Sequence, residues 1–262
     1  HGYLKDTEKR KGILFLLGVS YLSATSKNLN FGEKFLRSHF LQTWNPSDGL
    51  SDVCDLKCDE KNPDMVQSMG KPVIYFYPKK EQKVSVKVEI RDGDFVTTYP
   101  KYDKGKKGWD IVAYPDGSLK DEADGQQYSY IYWTGMSKGF KADLSEGFVV
   151  RGEDTRKFLQ ETLKKLGLTP REYNEMIVYW LPYMERHKYN VIKFLASEYT
   201  DYAKMEITPK PDSLLRVFMV FKEFGEKPNI KEQKLPPPFV RKGFSVVEWG
   251  GSEIGGEWSV FK

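Results

Sequence analysis

Aromatic side chains are the residues of this sequence whose type and position most favour a binding function. Phe, Trp and Tyr make up 15% of the 262 residues, and large rings with a polar edge are common at ligand and partner surfaces. Six of them, on or near predicted strands, are ligand- or partner-binding candidates: Tyr130, Tyr132, Trp133, Tyr179, Trp180 and Trp249. Exposed, these rings would form a stacking platform for a glycan or a protein; buried, they would belong to the core.

Carboxylates offer the main catalytic alternative, because two acids that face each other can hydrolyse a glycosidic bond. The available acids are Glu146, Glu153, Asp154, Glu172, Glu175 and Glu248. Their spacing selects no pair, and Glu172 has a predicted capping role at the start of a helix. We therefore predict no catalytic residue, and a carboxylate-pair glycosidase stays open as the alternative function.

Histidines are scarce: the chain has only His1, His39 and His187. The first residues read His1-Gly2-Tyr3, and this start resembles the copper-binding end of lytic polysaccharide monooxygenases. The resemblance implies copper on His1, with His39 or His187 as its partner, and hence a copper oxidoreductase as a further alternative. The residues that follow have the layout of a secretory signal, whereas chains of that family begin with a strand of a β-sandwich. We predict no metal and no cofactor, and we expect His187 on the surface in a polar turn.

Charge and cysteine content exclude some functions. The net charge of +4 is spread along the chain without a long basic block, so nucleic-acid binding is not favoured. Cys54 and Cys58 have no histidine near them, and a four-ligand zinc site would need more donors. Two interpretations stay open: a local disulfide between Cys54 and Cys58 in an oxidising compartment, or two reduced thiols in a loop.

One N-terminal segment has the layout of a secretory signal. KRKGILFLLGVSYLSATS combines a basic start, an apolar run over Ile13–Leu22 and small residues after it. The segment is interpreted as an uncleaved part of the fold, or as a retained anchor that docks the protein to a membrane or a larger assembly. No stretch reaches the roughly 18 apolar residues of a transmembrane helix. We expect an extracytoplasmic protein that is secreted, at the surface or membrane-associated.

Changes of pattern divide the chain into four regions. Residues 1–45 are predicted as a helical extension, and residues 46–70 as an acidic loop or linker that contains both cysteines. Residues 71–152 are predicted as a β-rich domain, in which apolar residues from Val84 to Ile90 alternate with polar ones. Residues 153–262 are predicted as an α+β region packed on that domain.

The elements of the last region determine the predicted fold class. A helix over EDTRKFLQETLKKLG ends at Gly167, and Thr169-Pro170-Arg171-Glu172 starts a second helix with a capping box. The run MIVYWLPYM is predicted as a strand with an edge or bend at Pro182, and further strands follow. The sequence thus predicts an α+β fold: an antiparallel, sandwich-like β body, a helical pair near 153–176 and the N-terminal extension.

Several longer motifs carry a second resemblance. KPVIYFYP, GWDIVAYPDGSL and LGLTPREYNEMIVYWLPYM resemble a group of uncharacterised hypothetical proteins, mostly from bacteria, over about residues 71–250. The resemblance implies no activity and no site residues. The expected function therefore depends on the aromatic set: a non-enzymatic binding or structural module that presents an aromatic β surface to a protein or glycan, as a subunit of a larger assembly or alone.

Overall fold

The computed structural model describes residues 66–255. Predictions for His1, Ile13–Leu22, His39, Cys54 and Cys58 lie outside these residues, as do the helical extension and most of the 46–70 loop. The strands are β1 Val66–Tyr77, β2 Gln82–Ile90, β3 Gly93–Tyr99, β4 Trp109–Ala113, β5 Leu119–Asp121, β6 Gln127–Tyr128, β7 Ile131–Lys138, β8 Glu146–Arg151, β9 Tyr189–Leu195, β10 Ala203–Thr208, β11 Ser213–Phe224, β12 Lys231–Glu232 and β13 Ser245–Glu253. The helices are α1 Thr155–Leu166, α2 Pro170–Met184 and the short α3 Ser197–Thr200.

Two sheets make up the β body. The large sheet has eight strands in the order β12-β8-β9-β11-β13-β1-β7-β3, and the small sheet has five in the order β10-β2-β4-β5-β6. Most neighbours are antiparallel, but β11 and β13 run parallel, as do β12 and β8. The prediction of an α+β fold with a β-rich body is confirmed.

The large sheet is covered on both faces, which gives three layers. On one face, alternate residues of β2, such as Val84 and Val86, pack with Phe76 and Phe218 of the large sheet in a core between the sheets. On the other face, α1 and α2 pack on the sheet, where Trp180 belongs to the second core. Alternation along each central strand therefore sends successive side chains into different cores.

Helix α2 corrects one element of the sequence prediction. Its start is as predicted, because Thr169 and Glu172 form the capping box and Pro170 occupies the first turn. The helix then continues through MIVYWLPYM, which had been predicted as a strand, and Pro182 lies inside it. The buried residues of this run, at helical spacing on one face, are Met176, Ile177, Trp180, Leu181 and Met184.

The predicted boundary at residue 152 does not separate two sheets. The large sheet takes β1, β3, β7 and β8 from before this point and β9, β11, β12 and β13 from after it. Its central strand β13 is flanked by β1 on one side and β11 on the other. Strands of the two predicted regions therefore depend on each other for their hydrogen bonds.

Candidate functional site

The helix-covered face of the large sheet gathers tyrosines from distant parts of the chain. Alternation along β1 brings Tyr75 and Tyr77 to this face, and alternation along β7 does the same for Tyr132. Val73 of β1 lies opposite Tyr132 on one side and opposite Trp249 on the other, so three strands contribute here. The tyrosine cluster is defined as Tyr75, Tyr77, Tyr130, Tyr132 and Tyr179.

Tyr75 contacts two other rings of the tyrosine cluster. Tyr75 meets Tyr130 edge to face, with ring centroids 5.4 Å apart, and lies nearly parallel to Tyr77 at 6.3 Å. Tyr75 is fully buried, whereas Tyr77, Tyr130, Tyr132 and Tyr179 are half-buried. The cluster is therefore anchored at Tyr75, and its other four side chains are partly accessible to solvent.

A chain of hydrogen bonds fixes the central ring. The indole Nε1 of Trp249 donates to the hydroxyl of Tyr75 over 3.3 Å, and that hydroxyl donates to Glu175 Oε2 over 2.8 Å. Burial, and then the charge of Glu175, raise the pKa of Tyr75. The hydroxyl therefore stays protonated at neutral pH and acts as a donor that holds Glu175 in place.

Lys71 brings a cation to this face through an irregularity in β1. The register of β1 shifts between Met69 and Val73, and Lys71 has a positive φ of 46°. Its Nζ lies 4.7 Å from the ring centroid of Tyr179 and 5.9 Å from that of Trp249. Burial lowers the pKa of Lys71, and the charge of Glu175 opposes this shift.

A second pair of charges lies beside Tyr77. Arg241 Nη2 is 2.6 Å from Glu172 Oε2, and the same carboxylate oxygen accepts the backbone N–H of Thr169 in the capping box. The guanidinium lies 5.3 Å from the Tyr77 ring centroid. Burial, and then the nearby Glu172, raise the pKa of Tyr77. This pair joins the start of α2 to the segment before β13.

The turn between β4 and β5 borders the tyrosine cluster. Gly117 in this turn has φ of 84°, and a Cβ added there would lie 2.8 Å from the Tyr77 ring and 3.5 Å from Arg171 Nη1. Only glycine accommodates both the backbone conformation and the close approach. The Asp116-Gly117 turn therefore packs closely against the cluster.

Three of the six predicted binding residues do not belong to an exposed surface. Trp133, Trp180 and Trp249 are each 0% exposed. Trp133 points into the core between the sheets, where its Nε1 donates to Glu248 over 3.3 Å. Of the two alternatives that the sequence left open, exposed platform or core, these three rings take the core. Tyr130, Tyr132 and Tyr179 converge on one face, and Trp249 supports them from beneath.

The run YSYIYW is divided between the two sheets. Tyr128 pairs with Leu119 in the small sheet, whereas Ile131–Lys138 belongs to the large one. Tyr130 and Tyr132 therefore pack on the helix-covered face, whereas Tyr128 packs against the core between the sheets.

His187 is buried, which corrects the prediction of a surface histidine. Its Nδ1 lies 2.7 Å from Asn190 Oδ1, while Asn190 Nδ2 donates to the carbonyl of Met184 and to Thr155 Oγ1. Because the amide nitrogen is already used, Oδ1 is the acceptor and the histidine Nδ1–H donates. His187 therefore fixes the turn between α2 and β9.

Most candidate carboxylates have structural partners. Glu146 lies 3.6 Å from Lys231 Nζ, and Glu153 lies 2.9 Å from Arg151. Glu248 is fully buried and lies 2.7 Å from Arg216 Nε, and Glu172 is held as described above. Glu175 is the candidate acid that faces the tyrosine cluster, where its described hydrogen bond comes from Tyr75.

Sequence reasoning missed part of this set. The alternation in VIYFY places Tyr75 and Tyr77 on one face, so that signal was present in the sequence. Arg171 and Glu175 lie within the predicted second helix at helical spacing, but the sequence did not show that they face these tyrosines. No sequence pattern predicted the position of Lys71. Its side chain reaches this face because the pairing of β1 with its neighbour is irregular there.

Comparisons with protein-family models, with curated proteins and with solved structures give no match. The resemblance to the bacterial group therefore stays a prediction. Within residues 66–255, no set of three or more His, Cys, Asp or Glu side chains is arranged to hold a metal ion. In the same range, no helix has the length and apolar character of a membrane span.

Proposed function

We propose that this chain is a non-enzymatic binding module that takes a glycan on its tyrosine cluster. The observation that carries the proposal is the packing of half-buried Tyr77 and Tyr130 on the hydrogen-bonded anchor Tyr75, with half-buried Tyr132 on the same face of the sheet. Aromatic rings stack on the apolar faces of sugar rings, and phenolic hydroxyls bond to sugar hydroxyls. A rigid aromatic set with a few placed polar groups is typical of such sites.

The surface of the described residues supports a glycan over a large protein partner. Stable protein interfaces have a contiguous core of apolar and aromatic residues. The large apolar side chains that are exposed within residues 66–255 lie on different elements: Tyr99, Val178, Leu214 and Val240. The tyrosine cluster, by contrast, mixes rings with Lys71, Arg171 and Glu175 on a small area.

The carboxylates at the cluster already have hydrogen-bond or ion-pair partners, which supports a binding function over glycoside hydrolysis. A glycosidase needs two acids that face a shared cleft, one of them free to donate a proton. At the tyrosine cluster, Glu172 is held by Arg241 and its own capping bond, and Glu175 accepts the hydroxyl of Tyr75. Both acids therefore have positioning roles in this arrangement.

Calorimetric titration with soluble hexasaccharides tests this function. Four β-1,4-linked probes made of glucose, N-acetylglucosamine, xylose and mannose cover the common backbones. We expect one of them to bind, and Tyr132→Ala to weaken that binding by about 2 kcal/mol, or roughly thirtyfold in Kd. Leu214→Ala, which shortens an exposed side chain of β11 outside the tyrosine cluster, is the control and should bind as the wild type does. Equal losses in both variants, or no binding of any probe, would contradict the proposal.

We also propose an extracytoplasmic location, docking through Ile13–Leu22 and a disulfide between Cys54 and Cys58. The sequence supports these proposals through the signal-like segment and the close cysteine pair. Cell fractionation tests the first, and loss of membrane association after deletion of Ile13–Leu22 tests the second. The mass of the alkylated protein with and without reductant tests the disulfide.

A further inference from the structure

Four strands form the edges of the two sheets, and β10 is the edge with the least protection. The edge strands β6 and β12 have two residues each, which is too short for pairing with a further strand. The edge strand β3 has an irregular register between Phe95 and Thr97, and such bulges turn an edge away from further pairing. Strand β10 runs for six residues with an unbroken register against β2. Among the described strands, β10 is therefore the edge to which another strand can best be added.

The backbone of β10 has one paired side and one unpaired side. The carbonyl of Tyr202, just before the strand, accepts the N–H of Arg91 over 2.8 Å. Because backbone polar groups alternate in direction along a strand, those of Met205 and Ile207 face away from β2. The carbonyl of Ala203 faces away as well, since it accepts a guanidinium N–H from β11. Within residues 66–255, no hydrogen bond reaches the backbone of Met205 or Ile207 from the unpaired side.

Two exposed charges lie two residues apart on β10. Lys204 lies opposite Glu89 of β2, and Glu206 lies opposite Lys87. On the unpaired side, neither charge has a cross-strand neighbour among the described strands. Cross-strand side chains lie about 5 Å apart, where opposite charges attract and like charges repel. A strand added to this edge therefore fits best when it again presents opposite charges.

We propose that β10 pairs with β10 of a second copy of this chain, antiparallel and centred on Met205. The two-fold axis then places Lys204 opposite the partner's Glu206, and Glu206 opposite the partner's Lys204. The neighbouring two-fold registers would instead bring two Lys204 side chains or two Glu206 side chains together. The charges therefore select this register, and the two small sheets join into one continuous sheet.

The same register uses the unpaired backbone groups and covers apolar surface. The two Met205 backbones bond to each other, and Ala203 bonds to the partner's Ile207, because these residues face the unpaired side. Met205 and Ile207 are half-buried at the border of the core between the sheets, and the second copy covers part of what remains exposed. A one-strand interface is small, so we expect a dimer with a micromolar Kd. The dimer is independent of the proposed glycan site, which lies on the helix-covered face.

Sedimentation velocity of the full chain from about 1 to 200 µM tests the association. We expect a monomer–dimer equilibrium that shifts with protein concentration. Met205→Pro removes the N–H that faces the partner but leaves the pairing with β2 intact, so association should weaken by at least about tenfold. Met205→Leu keeps that N–H and is the matched control. A dimer of Met205→Pro as tight as that of Met205→Leu would overturn the proposal. A chain that stays monomeric throughout would also overturn it, and would indicate that another segment covers this edge.

Two charge variants test the register without a change of backbone. Lys204→Glu places two glutamates opposite each other, and Glu206→Lys places two lysines opposite each other. Each variant alone should therefore associate at least about tenfold more weakly than the wild type. An equimolar mixture restores opposite charges at both positions and should dimerise with about the wild-type Kd. Recovery on mixing requires both variants to be folded, so misfolding cannot mimic it. Absence of recovery would overturn the proposal.

Discussion

Charged side chains differ in burial between the two faces of the large sheet. Toward the small sheet, Arg216 and Glu248 are paired at 2.7 Å with side chains 8% and 0% exposed. Toward the helices, Lys71 and Glu175 stay half-buried among tyrosines, and Glu175 takes its described hydrogen bond from Tyr75. The same residue types thus form a buried ion pair on one face and a partly exposed set beside tyrosines on the other.

The closed face is held by contacts from several elements. Arg216 Nη1 donates to the carbonyl of Ala203 over 2.7 Å, and its guanidinium lies 4.7 Å from the Tyr199 ring centroid. Tyr199 stacks on Phe218 at 4.0 Å, and burial, followed by the charge of Glu248, raises the pKa of Tyr199. These contacts join α3 and β10 to the large sheet.

The largest effect is expected from breaking the closed pair. Arg216→Met leaves Glu248 buried without a counter-charge, and we expect a loss of about 3–5 kcal/mol in the free energy of unfolding. Guanidinium denaturation measures it. Arg171→Met, on the exposed side of the tyrosine cluster, should cost less than about 0.5 kcal/mol. The double variant Arg216→Met, Glu248→Leu should regain most of the loss, and similar costs for Arg216→Met and Arg171→Met would erase the contrast between the faces.

A smaller effect is expected where the helices meet the sheet. A Cβ at Gly251 would lie 2.7 Å from the Met219 carbonyl oxygen and 3.0 Å from the Trp180 ring. Gly251→Ala should therefore destabilise the fold by about 1–3 kcal/mol through overpacking. At Gly225 an added Cβ meets nothing within 4 Å, so Gly225→Ala is the matched control in the same denaturation series. Equal stability of the two variants would show that α2 moves easily on the sheet.

The anchor of the tyrosine cluster should show a more modest effect. Tyr75→Phe removes the hydroxyl that joins Trp249 to Glu175, and we expect a loss of about 1–2 kcal/mol in unfolding free energy. Tyr99→Phe on exposed β3 should stay within about 0.5 kcal/mol of the wild type. Glycan binding should weaken only if Glu175 loses its position, which calorimetry on the same two variants would reveal.

The smallest effect concerns pH and Lys71. Unfolded Lys71 keeps its proton up to about pH 10.5, whereas burial lowers the pKa in the folded chain. Between these two values the unfolded state holds more protons, so stability rises with pH. The unfolding free energy of the wild type should therefore rise relative to Lys71→Met as the pH is raised toward 10.5, through the lowered pKa of the folded chain. A difference that does not change with pH would show that Lys71 is well solvated.

Local patterns predicted the regular parts of this fold. The alternation from Val84 to Ile90 gave β2, and the capping box at Thr169 gave the start of α2, because both depend on residues close in sequence. The strand predicted over MIVYWLPYM was wrong, since the strand preference of Ile, Val, Tyr and Trp was given more weight than their helical spacing.

The candidate site was predicted only in part, because its assembly depends on distant pairings. Tyr130 and Tyr132 were identified from the aromatic strand, but the division of YSYIYW between two sheets follows from pairings of β6 and β7 that the sequence does not display. The burial of Trp133 depends on packing of the small sheet, and the position of Lys71 depends on the irregular register of β1.

The most direct test of the central claim is an amide chemical-shift map of the full chain titrated with the hexasaccharide that binds it. The account predicts that the amides of Lys71, Gly117 and Tyr132 shift with the ligand, while those of Lys87 and Glu206 on the small sheet do not. Shifts confined to the small sheet, or a saturable ligand that leaves the tyrosine cluster unchanged, would contradict it.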